Sequence, residues 1–334
     1  MKILKNIKRT SFWKFFLLIL IVPIYNFFWK YFINFHAKTL NIFWNLKKRE
    51  FFDLKKKDSL KITDNNIILN LSNELNDFCT EEILEKSRTK MRKDNEYSNE
   101  LFEELPVTLK NRIIEFASSE LIVTTASKYL GVFPILSRIY FYHNVKNPNN
   151  PNEQSAQRWH KDGMGHKGLD FFISITDINE FNGPLFLSKK NNVLGSFSKI
   201  ENAIKNPKPG ERNKISNEEF DKLHEEKDIE SIIGKKGTCL IVDSYNCYHK
   251  GGFVKSGDRI MLRVAFDTID SCVVNFDEEK YSNNNVFYYD KRCKKDVSNI
   301  FLKFLFFKRS KIMKFFKVPQ KLLKFYQFFH YKIT

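Results

Sequence analysis

The octapeptide RWHKDGMG, residues 158–165, sets a histidine and an aspartate two positions apart, just ahead of two glycines. On extended backbone side chains alternate between faces, so His160 and Asp162 share one face and can hold a single ion without bending the chain. A third ligand has to arrive from elsewhere. YNCYHKGG offers His249, which follows the apolar run TCLIVDS and precedes a glycine pair, at a strand end or turn. Two imidazoles and one carboxylate on one face of an ion leave coordination positions open and suit non-haem Fe(II), although zinc and manganese accept the same donors. Taken alone, His-x-Asp is more often a polar turn than a ligand pair. His143, His166 and His224 are the rival histidines, and His166 lies four residues from Asp170. Nothing around them adds to a ligand set, so they read as structural or exposed.

The surrounding segments carry a more specific signal. WHKDG, then DFFISITDINEFNGPLFLS, then HKGGFVKSGDRIMLRVAF give, in order, Trp-His-x-Asp, a strand, Asn-Gly-Pro-Leu, a distal histidine and an arginine ten residues after it. In this the chain resembles the phytanoyl-CoA dioxygenase family of Fe(II)- and 2-oxoglutarate-dependent oxygenases, over residues 65–270, and the upstream YLGVFPIL turn is similar too. One segment departs from the family: Pro-Gly-Ser-His usually follows Asn-Gly-Pro-Leu, whereas this chain has FLSKKNN. The resemblance implies a double-stranded β-helix (jelly roll), an iron triad of His160, Asp162 and His249, 2-oxoglutarate as cosubstrate, and an arginine for its distal carboxylate. It also implies a small-molecule substrate and O2, with succinate and CO2 released. Halogenating relatives replace the carboxylate ligand with a small residue; Asp162 is present, which resembles the hydroxylating branch.

The arginine has a physical rationale of its own. A dianionic cosubstrate entering a largely apolar barrel needs a buried, permanently charged, fork-shaped partner. DRIMLRVAFD offers Arg259 and Arg263, four apart and so on one strand face. At ~3.3 Å per residue they stand about 13 Å apart, so both cannot hold one carboxylate. Arg259 has the family's spacing from His249, with Arg263 as runner-up; the competing role for either is a rim salt bridge with Asp258 or Asp267. Tyr140, Tyr142 and Trp159 are expected to line the cofactor cavity, although aromatics in strands more often belong to the core. The alternatives to an enzyme are an inactive membrane-associated binding module on the same barrel, and a basic nucleic-acid-binding protein.

Those residues need elements to position them. From Ser137 onward SRIYFYHN, LDFFISITDI, GPLFLS, GTCLIVDS and RIMLRVAFD are short β-branched and aromatic runs bounded by Gly, Asn or Asp, the pattern of strands. Before them, residues 108–130 carry apolar residues at helical spacing and stop at Gly131. NNIILNLSNEL reads as a short strand leading into a helix, and residues 197–236 as a polar surface insertion with a helical piece. Helices first and strands afterwards predict an α+β chain ending in a sandwich or barrel.

Charge separates the ends from the middle. Of the formal +17, residues 1–50 carry ten Lys/Arg against one Glu and residues 301–334 carry nine Lys/Arg and no acid, leaving about −1 between them. Both ends are also aromatic, with Trp13, Trp29 and Trp44 in the first and nine Phe in the second. Nucleic-acid tails are basic and polar; basic plus aromatic composition fits a bilayer interface. The uncharged run from Phe15 to Trp29 is short for a span and contains Pro23. The expected organisation is a membrane-associated extension over 1–58, the oxygenase domain over 59–292 and a basic aromatic tail over 293–334. Five cysteines, an odd number without a CxxC pair, predict reduced thiols in a cytoplasmic, membrane-associated protein.

Overall fold

The computed structural model describes residues 44–54, 59–146, 155–162, 167–188, 214–215, 217–222 and 225–268, with a few positions between 35 and 42. Residues 1–34 of the extension expected to meet a membrane and all of the tail over 293–334 lie outside the described residues, as do His166 and His224. Among the described residues, no helix is long and apolar enough to cross a membrane.

Helices come first. β1 (Ser59–Ile62) precedes α1 (Asn66–Phe78). The Asn65 side chain accepts from the amides of Ile67 and Ile68 at 3.1 Å, an N-cap, and Ile68, Leu71 and Leu75 then fall on one buried face. The strand expected within NNIILNLSNEL is therefore the first turn of α1. A capping asparagine outweighs the β-branched pair, and the strand lies upstream. α2 (Glu81–Asp94) and β2 (Ser98–Glu100) follow. The helical run read over 108–130 is two helices, α3 (Val107–Ala117) and α4 (Glu120–Leu130), broken at Ser118–Ser119. α4 stops at Gly131, whose φ of 71° is the left-handed conformation glycine adopts without a Cβ penalty.

The strands are β3 (Ile135–Asn144), β4 (Trp159–His160), β5 (Gly168–Ser174), β6 (Leu185–Ser188), β7 (Lys214–Ile215), β8 (Ile229–Ile232), β9 (Cys239–Val242), β10 (His249–Gly251) and β11 (Arg259–Asp267). A short helix α5 (Asn217–Asp221) follows β7. They form two antiparallel sheets, one of order β1-β9-β5-β11-β3-β2 and one of order β7-β4-β10-β6-β8. Together with the helices this makes an α+β fold.

Alternation divides the larger sheet between two cores. One face carries Ile139, Phe141, Leu169, Phe171, Ile173, Ile241, Leu262 and Val264 and packs with Ile68, Leu71, Ile113 and Ile122 of the helices. The other sends Phe172, Leu240, Val242 and Met261 against Leu185, Leu187 and Ile232 of the smaller sheet. The sheets thus meet face to face. Burying each of these side chains contributes about 1.5–3 kcal/mol relative to exposure.

Two further segments join the packed structure. Residues 44–54 pack on the domain: Trp44 donates its indole N–H to Thr124 at 3.0 Å, the amide of Phe52 donates to Thr125 at 3.0 Å, and Leu54 joins the main core. The described part of 197–236 is also more than a surface insertion. β7 and β8 form the two edges of the smaller sheet, and Phe220 of α5 is fully buried. Its polar sequence hid this because edge strands carry charged side chains such as Lys214.

Candidate metal centre

Antiparallel pairing brings His160 and His249 together. β4 and β10 are neighbours in the smaller sheet, and His160 lies directly opposite His249 in their register. Residues opposed in this way project to the same face, and the two rings stand 4.3 Å apart. Asp162 follows β4, held by its amide donating to the Ser244 carbonyl at 2.8 Å. Its Oδ1 is 3.4 Å from His160 Nε2 and its Oδ2 is 3.6 Å from His249 Nε2. One potential ligand atom from each of His160, Asp162 and His249 lies within 4.8 Å of the others.

The loop before His249 is held by an Asp-turn. Asp243 Oδ1 accepts from the amides of Tyr245 and Asn246 at 3.1 and 3.2 Å, and its Oδ2 accepts from Tyr129 Oη at 2.8 Å. After His249, Gly252 lets the chain pass close to the neighbouring segment. A Cβ there would stand 2.7 Å from the Pro184 carbonyl oxygen and 2.8 Å from the Phe186 ring.

Proton positions follow from the acceptors. His160 Nδ1 sits 2.7 Å from the Arg158 carbonyl and His249 Nδ1 3.1 Å from the Cys247 carbonyl. A carbonyl oxygen only accepts, so each Nδ1 carries the proton and donates. In the neutral ring each Nε2 then has a bare lone pair, aimed toward the carboxylate. Burial, reinforced by the neighbouring His249, lowers the His160 pKa and favours its neutral form. Burial pushes the Asp162 carboxyl up, but the Arg263 guanidinium beside it outweighs this and holds it well below the usual carboxylate range, so it stays ionised. Two imidazole lone pairs and a carboxylate facing one another at this range could hold a cation between them. The donor set fits a borderline divalent metal.

The two arginines differ in their partners. Arg259, buried, donates from Nε and Nη2 to Asn144 Oδ1 at 3.2 and 3.1 Å, and from Nη1 to the Gly183 carbonyl. None of these acceptors is a carboxylate. Burial therefore pulls its pKa down to about 10, with the Tyr97 and Tyr142 phenols opposing weakly. Arg263 is tied to two carboxylates. Its Nε and Nη2 take the two oxygens of Asp170 at 3.2 and 2.7 Å, and Nη2 also reaches Asp162 Oδ2. Burial disfavours its charge, but Asp162 and Asp170 more than offset this. Neither arginine pairs with Asp258 or Asp267, the competing partners: Asp258 takes Arg88 and stands 3.2 Å from His143 Nε2, and Asp267 accepts from Tyr245 Oη at 2.6 Å.

The aromatic expectations separate. Tyr140 and Tyr142 of β3 are opposite Arg263 and Met261 of β11, on the face turned to the smaller sheet, and stack at 5.2 Å. Trp159 is placed differently. Adjacent to His160 on a strand, it projects the opposite way and stacks on Phe220 at 3.9 Å, in a cluster with Ile215 and Tyr248. Lys161 follows it there, its Nζ 4.6 Å from the Tyr248 ring. His143 is fully buried, bonded to Ser87 through Nδ1 at 2.9 Å.

Sequence reasoning passed over Asn144, Gly183 and Lys214. Asn144 is opposite Arg259 in the β3–β11 register, and Gly183 belongs to the Asn-Gly-Pro-Leu motif. Lys214 is opposite His160, and burial, then the nearby Arg158, lowers its pKa to about 8. Only pairing register reveals Asn144 and Lys214. Asp170, noted beside His166, is the counter-ion of Arg263.

No known family profile and no curated protein matches the sequence. Solved structures similar to the chain include the epimerase SnoN in complex with Fe3+, alpha ketoglutarate and nogalamycin RO, 10% identical with a TM-score of 0.37 over 64% of this chain and 80% of that one. The non-heme alpha ketoglutarate dependent carbocyclase SnoK is 13% identical, TM-score 0.40, over 64% and 80%. EctD from S. alaskensis with 2-oxoglutarate and 5-hydroxyectoine is 11% identical, TM-score 0.40, over 65% and 74%. At these identities the chemistry of this chain has to be read from its own side chains.

Proposed function

We propose that this chain is an Fe(II)- and 2-oxoglutarate-dependent dioxygenase of the phytanoyl-CoA dioxygenase type, built on a jelly roll and hydroxylating a small organic or lipid-like substrate. The observation that carries the reading is the convergence of two Nε2 lone pairs and the Asp162 carboxylate, with each Nδ1 anchored on a backbone carbonyl.

His160, Asp162 and His249 are the residues that would hold the metal. Bound there, Fe(II) would supply an oxidation in which 2-oxoglutarate and O2 give succinate and CO2, one oxygen atom of O2 entering succinate and the other a substrate C–H bond. The protein's part is orientation and exclusion of water. Arg259 is the group for the distal carboxylate: its charge is buried, braced by Asn144 and Gly183, and not neutralised by an acid among the described residues. Arg263 suits that task less well because Asp162 and Asp170 already occupy it. Phe172, Leu187, Leu240 and Met261 keep the space between the sheets apolar, which strengthens every charge interaction made there. The basic, aromatic composition of residues 1–50 and 301–334 supports an anionic membrane surface as a partner and a cytoplasmic, membrane-associated location.

The test is anaerobic titration of the purified protein with Fe(II) and 2-oxoglutarate, followed by exposure to air with cell extract. Stoichiometric iron, a visible charge-transfer band that needs 2-oxoglutarate, and succinate released with a product heavier by one oxygen atom are expected. Absence of both metal binding and the band rejects the assignment.

A further inference from the structure

Arg263 joins the two sheets at the metal centre. It projects from β11 of the larger sheet, opposite Tyr140 on one side and Phe172 on the other, while Asp162 follows β4 of the smaller one. Asp170, on β5, presents both carboxylate oxygens to Nε and Nη2, a two-point fork that leaves the guanidinium plane little rotational freedom. The Phe172 ring lies beneath it, 5.0 Å from the guanidinium carbon to the ring centroid. From that fixed plane, Nη2 also bonds Asp162 Oδ2. Oδ1 is the carboxylate oxygen that faces His160 Nε2, at 3.4 Å.

An arginine beside a metal site carries an obvious penalty, since its charge repels the cation. Here Asp170 cancels it. The Arg263–Asp170 pair is formally neutral, so it can act as a directional donor to Asp162 without placing net positive charge beside the metal. We propose that Arg263 is a positioning residue for the metal-holding carboxylate: anchored on Asp170, it engages Oδ2 of Asp162 and fixes the carboxylate so that Oδ1 faces His160 Nε2 while Oδ2 lies 3.6 Å from His249 Nε2. The inference rests on the metal-centre reading above and gives Arg263 a role distinct from the carboxylate-binding role of Arg259. Outer partners of metal ligands typically contribute about 10–100-fold in affinity by fixing ligand orientation.

The deciding variant is the full-length double substitution Asp170→Asn/Arg263→Met. It removes both charges at once, so the net charge beside the metal is unchanged and a change in metal affinity reports the lost positioning of Asp162. Mn(II) and Co(II) affinity is measured by titration, with circular dichroism and melting temperature recorded in parallel. About 10–100-fold weaker binding is expected, together with an altered visible spectrum of the Co(II) form and a 2-oxoglutarate KM, at saturating Fe(II), within threefold of wild type. Arg263→Lys, which retains a charge and a donor, is expected to recover part of the affinity and serves as the second variant should the double one fold poorly. Metal affinity within threefold of wild type in the folded double variant overturns the proposal, and so does a 2-oxoglutarate KM raised as far as in an Arg259 variant. Wild-type protein that binds neither ion would reject the metal centre itself, a result separable from loss in the variants alone.

Discussion

His160 and His249 face each other across the β4–β10 pair with ring centroids 4.3 Å apart and each Nδ1 tied to the carbonyl two residues before it in sequence. The same i to i−2 backbone bond at both sites orients both rings alike. Substituting either histidine by alanine removes a ligand outright, so Fe(II) or Mn(II) affinity should fall by more than the ~10–100-fold loss typical of an outer partner. Isothermal titration measures it, and unchanged affinity in His249→Ala would remove that residue from the ligand set.

Arg259 should show a division between stability and binding. Its charge is buried without a carboxylate, so Arg259→Met is expected to change the stability of the unliganded protein by less than about 1 kcal/mol, the lost bonds to Asn144 and Gly183 offsetting the relieved desolvation. Wild-type protein should gain about 2.7 kcal/mol from 2-oxoglutarate at 100 times its dissociation constant. The variant should lose most of that gain. Chemical denaturation with and without 2-oxoglutarate reads both quantities.

Glu100 makes stability fall as pH rises. Its Oε1 accepts from the amides of Phe141 and Phe102 at 2.7 and 3.1 Å, while Oε2 is buried without a partner. Burial raises its pKa from 4.5 to about 7. Between those values the folded state keeps a proton that the unfolded chain has released, so stability declines across that window and stays lower above it. Glu100→Gln keeps an acceptor and removes the charge; it should be stabilising by about 2 kcal/mol at pH 8 and nearly neutral at pH 4.5. Urea titrations at the two pH values test the sign.

Gly252 holds β10 against the segment before β6. An alanine Cβ would meet the Pro184 carbonyl oxygen at 2.7 Å, and backbone cannot yield as a side-chain tip can. Gly252→Ala should be destabilising by about 1–3 kcal/mol and weaken metal binding as well, because His249 starts the same strand. A melt and a metal titration on one sample reveal whether the two losses travel together.

Trp159 and Phe220 supply the contrasting case. Phe220→Ala should be destabilising by about 3–5 kcal/mol through the stack with Trp159, and leave the 2-oxoglutarate KM near wild type once the protein is folded. A raised KM with unchanged stability would place that cluster at the cofactor after all.

Much of this protein is legible in local spacing. His-x-Asp on extended backbone, a distal histidine before a glycine pair, and two arginines four apart are period-two facts that hold wherever the strands lie, and each main strand run from Ser137 onward appears as a strand. Capping and long-range pairing are not legible in the same way. Asn65 turns a β-branched run into a helix start, and Phe220, in a polar stretch, becomes core because Trp159 stacks on it. Tertiary structure alone decided which arginine has carboxylate partners. Asn144, Asp170 and Asp162 reach β11 only through register and through the apposition of two sheets, and hydrogen bonds between distant segments depend on that geometry rather than on residue type. The sequence by itself determined which donors the chain owns; the fold decided which of them face one another.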